Sequence, residues 1–143
     1  MNAEETARKW FDYAEMDWQT AKHLYDSFYP KPREIICFHC QQAIEKFLKG
    51  IFALYDKSFL RTHDLAVLVD SLPDEVEMPE NFKKICAGLT VFSVETRYPS
   101  ELGIEEHRMD VTVKDTACVY EWLRDYVERI FVKEKEEITS ISE

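Results

Sequence analysis

The chain reads as an all-α protein, an up-and-down bundle of four long helices with one short inserted helix. Three observations lead there. Apolar residues recur at spacings of three and four through most of the 143 residues. Glycine is rare, at three residues, and proline modest, at five, which argues against a loop-rich or all-β fold. No stretch alternates convincingly enough to make a strand, and there is no internal repeat or second domain, so residues 1–143 form a single unit.

The first helix is expected from about Glu5 to Phe28. Trp10, Ala14, Asp17, Ala21, Leu24 and Phe28 make its seam, with Phe11, Trp18 and Tyr25 beside it. Pro30 and Pro32 end it. The second runs from about Arg33 to Tyr55 along Ile36, Cys40, Ala43, Phe47 and Leu54, widened by Ile44, Leu48 and Ile51. Both are about 30 Å long at 1.5 Å per residue, and a short link should pack them antiparallel. A short helix, capped by Thr62, is expected from His63 to about Leu72, where Pro73 closes it. After an acidic loop, a third long element starts near Pro79, takes in Phe82, Ile85, Leu89 and Phe92, and ends before Pro99. The last helix starts at Thr112, whose TVKD sequence fits a capping box with Asp115. Its inner face is Val113, Ala117, Tyr120, Leu123, Val127 and Ile130. The tail from about 133 to 143 lacks an apolar stripe and is expected to fray.

Composition narrows the function. With 28 acidic and 18 basic residues the formal charge is −10, which argues against a broad electrostatic grip on duplex nucleic acid but leaves room for a local basic pocket. No apolar run is long enough to span a membrane, and the charged N-terminus lacks a secretion signal's apolar core, so a cytoplasmic location is expected. Cys37 and Cys40 flank His39 in CFHC, but no second Cys/His pair follows at close spacing. The four cysteines are expected to be free thiols, with no metal and no cofactor.

Polar residues in awkward places carry the functional signal. His39, Gln42, Lys46 and Lys49 form a stripe on the second helix beside its apolar seam, and Glu45 is placed to pair with Lys49 at i, i+4. The stripe is either a solvated face or the wall of a groove. Asp17 falls on the seam of the first helix, where a carboxylate needs a partner or a polar cleft. His63 and Asp64 sit at a helix start, as a cap or as an anion contact. Arg97 is suited to bind a phosphate bidentately or to clasp Asp17 or Glu45, and Tyr98 to stack on a base or donate a hydrogen bond. The residues alone do not choose between these.

Four blocks, in order, resemble the HEPN domain family (higher eukaryotes and prokaryotes nucleotide-binding). They are WFDYAEMDWQTAKHLY, CFHCQQAIEKFLKGIF, RTHDLAVLV and TRYP, spanning about Trp10 to Pro99. The resemblance implies a HEPN-like bundle, often a homodimer, with a pocket between helices. The matching positions are Gln42, Glu45, Lys46, Lys49, His63, Asp64, Arg97 and Tyr98 as nucleotide-binding candidates. It also implies a nucleotide- or RNA-binding module, in many small members paired with a minimal nucleotidyltransferase as a toxin–antitoxin couple. Other members are metal-independent RNases with an arginine closely followed by a histidine. Here nine residues separate Arg97 from His107, so the catalytic candidates Arg97, His63 and His107 do not reproduce that pair. An RNase toxin and a ligand-free helical dimerisation domain stand as alternatives. Phe11, Trp18 and Tyr25 are expected to be surplus apolar surface for a dimer contact.

Overall fold

A computed structural model of the chain describes residues 2–93 and 103–142. Among these residues every regular element is helical: α1 (Ala3–Ser27), α2 (Arg33–Leu54), α3 (Leu65–Asp70), α4 (Glu80–Leu89) with a 3-10 turn over Thr90–Phe92, and α5 (Glu106–Ser142).

The central element is α2, because its sequence is apolar around most of its circumference. Ile36, Cys40, Ile44, Leu48, Ile51 and Phe52 are all fully buried. α1 lies antiparallel to it. Phe11 near the start of α1 packs on Phe47 of α2, with ring centroids 4.7 Å apart, while Asp17 further along meets Lys46 and His39 further back. The approach is close because Gly50 has no Cβ: one built there would collide with the Phe11 ring. α5 runs antiparallel to α1 and parallel to α2. Trp18 stacks on Tyr120, and the Tyr25 hydroxyl donates to Asp110 at 2.6 Å. The Cys37 and Cys40 thiols face Thr112 and Thr116 of α5.

Boundaries differ from the expectation where a side chain does a different local job. α1 begins earlier, at Ala3, because the Asn2 side chain caps it by accepting from the Glu5 amide at 2.8 Å. α3 begins at Leu65, not His63, because Asp64 is the cap, accepting from the Ala66 and Val67 amides; Thr62 instead accepts from the Asp64 amide. The third element starts as expected after Pro79, with Phe82, Ile85 and Leu89 on the ten-residue α4 and Phe92 on the 3-10 turn that continues it; its expected end before Pro99 lies outside the described residues. α5 starts at Glu106, a turn and a half before the expected cap. Thr112 lies inside it, its hydroxyl donating to the Arg108 carbonyl one turn back, so TVKD is helix interior. The tail expected to fray is helical through Ser142, with every side chain from Lys133 to Ile141 exposed.

The three aromatic residues expected to be surplus surface are used within the chain. Phe11 packs on Phe47, Trp18 is 5% exposed, and Tyr25 is tied to Asp110. The seam of α1 is wide enough to turn all three toward α2 and α5. The large apolar side chains that do face outward on α1 are Tyr13 and Met16.

Candidate functional site

At 3.6 residues per turn, His39, Lys46, Gln42, Lys49, Glu45 and Gln41 follow one another around less than half of α2. That order sets up a polar arc with two carboxylates at its flanks, Asp17 supplied by α1 and Glu45 by α2 itself. Each carboxylate bridges one imidazole and one ammonium. Asp17 Oδ1 accepts from His39 Nδ1 at 2.8 Å and Oδ2 from Lys46 Nζ at 2.6 Å. Glu45 Oε1 accepts from His63 Nδ1 at 2.8 Å and Oε2 from Lys49 Nζ at 3.0 Å.

Gln41 completes the second cluster. Its amide nitrogen lies 3.0 Å from Glu45 Oε1 and 3.4 Å from the His63 carbonyl oxygen, and its own oxygen accepts from Gln42 at 2.7 Å. A fully buried glutamine with its groups engaged in this way holds the segment before α3 against the middle of α2. The expectation from sequence named Gln42 and passed over Gln41. The available signal was its i, i+4 spacing to Glu45, one step around the helix from the stripe.

Both carboxylates are ionised at neutral pH. Burial pushes the Glu45 pKa up, but hydrogen bonds from Gln41, His63 and Lys49 outweigh it and hold the group below its ordinary 4.5. Burial acts likewise on Asp17, and the bonds from His39 and Lys46 hold it below its ordinary 3.8. An ionised carboxylate only accepts, so both imidazoles carry hydrogen on Nδ1 and turn Nε2 away from the carboxylate. The His63 side chain is 56% exposed while that of Glu45 is 4% exposed. A solvent-facing imidazole is thus oriented by a buried anion. Lys46 is 28% exposed and Lys49 12%, the latter near the rings of Trp10 and Phe59.

Of the residues picked out by sequence, Gln42, Glu45, Lys46, Lys49 and His63 come together here. Asp64 adjoins them as the α3 cap. Arg97 and Tyr98 lie outside the described residues. His107 is exposed in the first turn of α5, and among the described residues no hydrogen bond or ion pair joins it to Glu45 or His63. No group of three or more metal-ligating side chains occurs among the described residues, and no helix there is long and apolar enough to cross a membrane.

The HEPN domain family model matches residues 7–126, and the chain belongs to that family. Its fold is similar to the crystal structure of TT1696 from Thermus thermophilus, with a TM-score of 0.71 over 87% of this chain and 98% of that one. At 21% identity this likeness speaks to the fold alone. A comparison with curated proteins gave no match.

Proposed function

We propose that this HEPN protein is a nucleotide- or RNA-binding module whose anion site is the polar arc of α2, and that it works as a homodimer. The observation that carries the proposal is the pair Glu45–His63: a buried carboxylate holds the Nδ1–H of an exposed imidazole, so that Nε2, protonated in the imidazolium form, donates to a phosphate oxygen. Lys46 adds an ammonium that Asp17 holds in place. Such donors are set before the ligand arrives, which lowers the ordering cost of binding. Pairing with a minimal nucleotidyltransferase in a toxin–antitoxin couple belongs to the same proposal and rests on the family alone. Tyr13 and Met16, exposed beside Asp17 on α1, offer apolar surface for the dimer contact.

The test is binding of AMP, ATP and short 5′-phosphorylated RNA by calorimetry, with light scattering in parallel. Saturable binding is expected, weakened about tenfold or more by His63→Ala and by Arg97→Ala, a loss near 1.4 kcal/mol. The scattering mass should be twice 17.0 kDa. Failure of the wild-type protein to bind any of the probes overturns the ligand proposal, and a monomer at micromolar concentration overturns the dimer.

The same carboxylate–imidazole pair favours a second reading, a metal-independent RNase with His63 as acid or base. It requires RNA cleavage in chelator that His63→Ala abolishes. Full cleavage by that variant excludes the role.

A further inference from the structure

The Asp17–His39–Lys46 cluster repeats the Glu45–His63–Lys49 cluster in chemistry, and the residues matched to the family leave Asp17 and His39 without a role. In both, one carboxylate oxygen takes an imidazole Nδ1–H and the other an ammonium. In both imidazoles the carboxylate therefore engages Nδ1 and leaves Nε2 on the other side of the ring. His39 is 25% exposed, so its free edge is within reach of a ligand. Its ring is further fixed by an edge contact with Phe38, centroids 5.4 Å apart. Glu45 lies six positions beyond His39, or about 9 Å along α2 at 1.5 Å per residue. One phosphate cannot fill that distance, but two phosphates of one ligand can.

We propose that His39, oriented by Asp17 and assisted by Lys46, forms a second phosphate position on α2, so that the ligand carries at least two phosphates laid along the helix. This rests on the nucleotide- or RNA-binding proposal and names the chemistry of its ligand: successive phosphates, from an RNA strand or a nucleoside polyphosphate. With Nδ1–H held by the carboxylate, each imidazole donates to phosphate through Nε2 only as the imidazolium, so binding takes up a proton there; imidazolium and ammonium are then point donors, suited to single phosphate oxygens rather than to the two-pronged grip of a guanidinium. Each ammonium is already paired with a carboxylate, so the positive charge that meets each phosphate is that of the imidazolium.

The experiment compares AMP, ATP and a 5′-phosphorylated dinucleotide on the wild-type protein and on His39→Gln and Asp17→Asn. The wild type is expected to bind one two-phosphate probe about tenfold more tightly than AMP, and the preferred probe tells strand from polyphosphate. His39→Gln removes that advantage. Asp17→Asn reduces it, and 15N spectra then show His39 leaving the Nδ1–H tautomer. In the wild type, the preferred probe shifts His39 Nε2 as well as His63 Nε2. Equal affinity for AMP and both other probes, an advantage retained in His39→Gln, or a His39 resonance that ignores the ligand would overturn the second position while leaving the first intact. No binding of any probe would instead remove the underlying proposal.

Discussion

At the scale of single residues, Glu45 and Asp17 serve stability and site together. Each is nearly inaccessible yet ionised, and each keeps a lysine and a histidine in place. Removing one partner of such a buried pair leaves the other charge desolvated and costs about 3 kcal/mol. The pH dependence follows from the direction of the shifts. Both pKa values are lower folded than unfolded, so the stabilisation is fully present above the ordinary values, 4.5 for Glu45 and 3.8 for Asp17, and is lost as pH falls through the folded values. Melting temperature measured from pH 7 down to pH 3 should drop steeply at the acid end in the wild type. In Glu45→Gln it should start lower at pH 7 and fall less at acid pH. Parallel curves for the two proteins would show that Glu45 does not carry the acid sensitivity. Tyr120 adds a separate tie: its hydroxyl donates to Glu15, which also pairs with Arg124, joining α1 to α5 away from the arc.

Among the elements, the α1–α2 contact positions the arc, since Asp17 reaches His39 and Lys46 only if the two helices lie close. Gly50 is where that closeness is visible. Glycine inside a helix costs roughly 1 kcal/mol relative to alanine, so alanine at a free helical site should stabilise. Gly88 of α4 is such a site, with open space where a Cβ would point, whereas at Gly50 the Phe11 ring occupies that space. Gly88→Ala should therefore raise the melting temperature by a few degrees, in keeping with a gain near 1 kcal/mol. Gly50→Ala should lower it, because overpacking of about 1–3 kcal/mol exceeds the propensity gain. A stabilised Gly50→Ala would mean that Phe11 moves aside without loss. The sequence made the two long helices legible through their seams, and the Pro-containing link made them antiparallel. It misplaced the caps, because Thr62 and Thr112 carry the same hydroxyl as true caps, whereas the neighbouring Asp64 takes the cap of α3 and Thr112 bonds back to the Arg108 carbonyl inside α5. Four members of the arc were legible as a three–four–three stripe. Gln41 was not, since a buried glutamine looks like any other until the His63 carbonyl is brought against it.

For the molecule as a whole, a formal charge of −10 has to be reconciled with the proposed site for phosphates. Long-range repulsion slows the approach of an anion, and it acts on every phosphate of a long strand. The arc answers at short range only. With Lys46 paired to Asp17 and Lys49 to Glu45, its ammonium and carboxylate charges cancel, and on the proposed reading the two imidazolium Nε2–H groups are left to hold the ligand. Such a site releases few counterions. A single strand contributes about 0.7 to the log–log salt slope for each phosphate neutralised, so two contacted phosphates set a slope of about −1.5 or shallower. Affinity for a 5′-phosphorylated RNA, measured between about 50 and 300 mM salt, should follow that line and stay nearly unchanged as the RNA is lengthened beyond the dinucleotide. A slope steeper than about −3, growing with RNA length, would point to an extended basic surface and against a two-phosphate site on α2. If the proposed site is right, short strands and nucleotides, not long duplexes, are the ligands that an acidic bundle with one neutralised polar arc should accept.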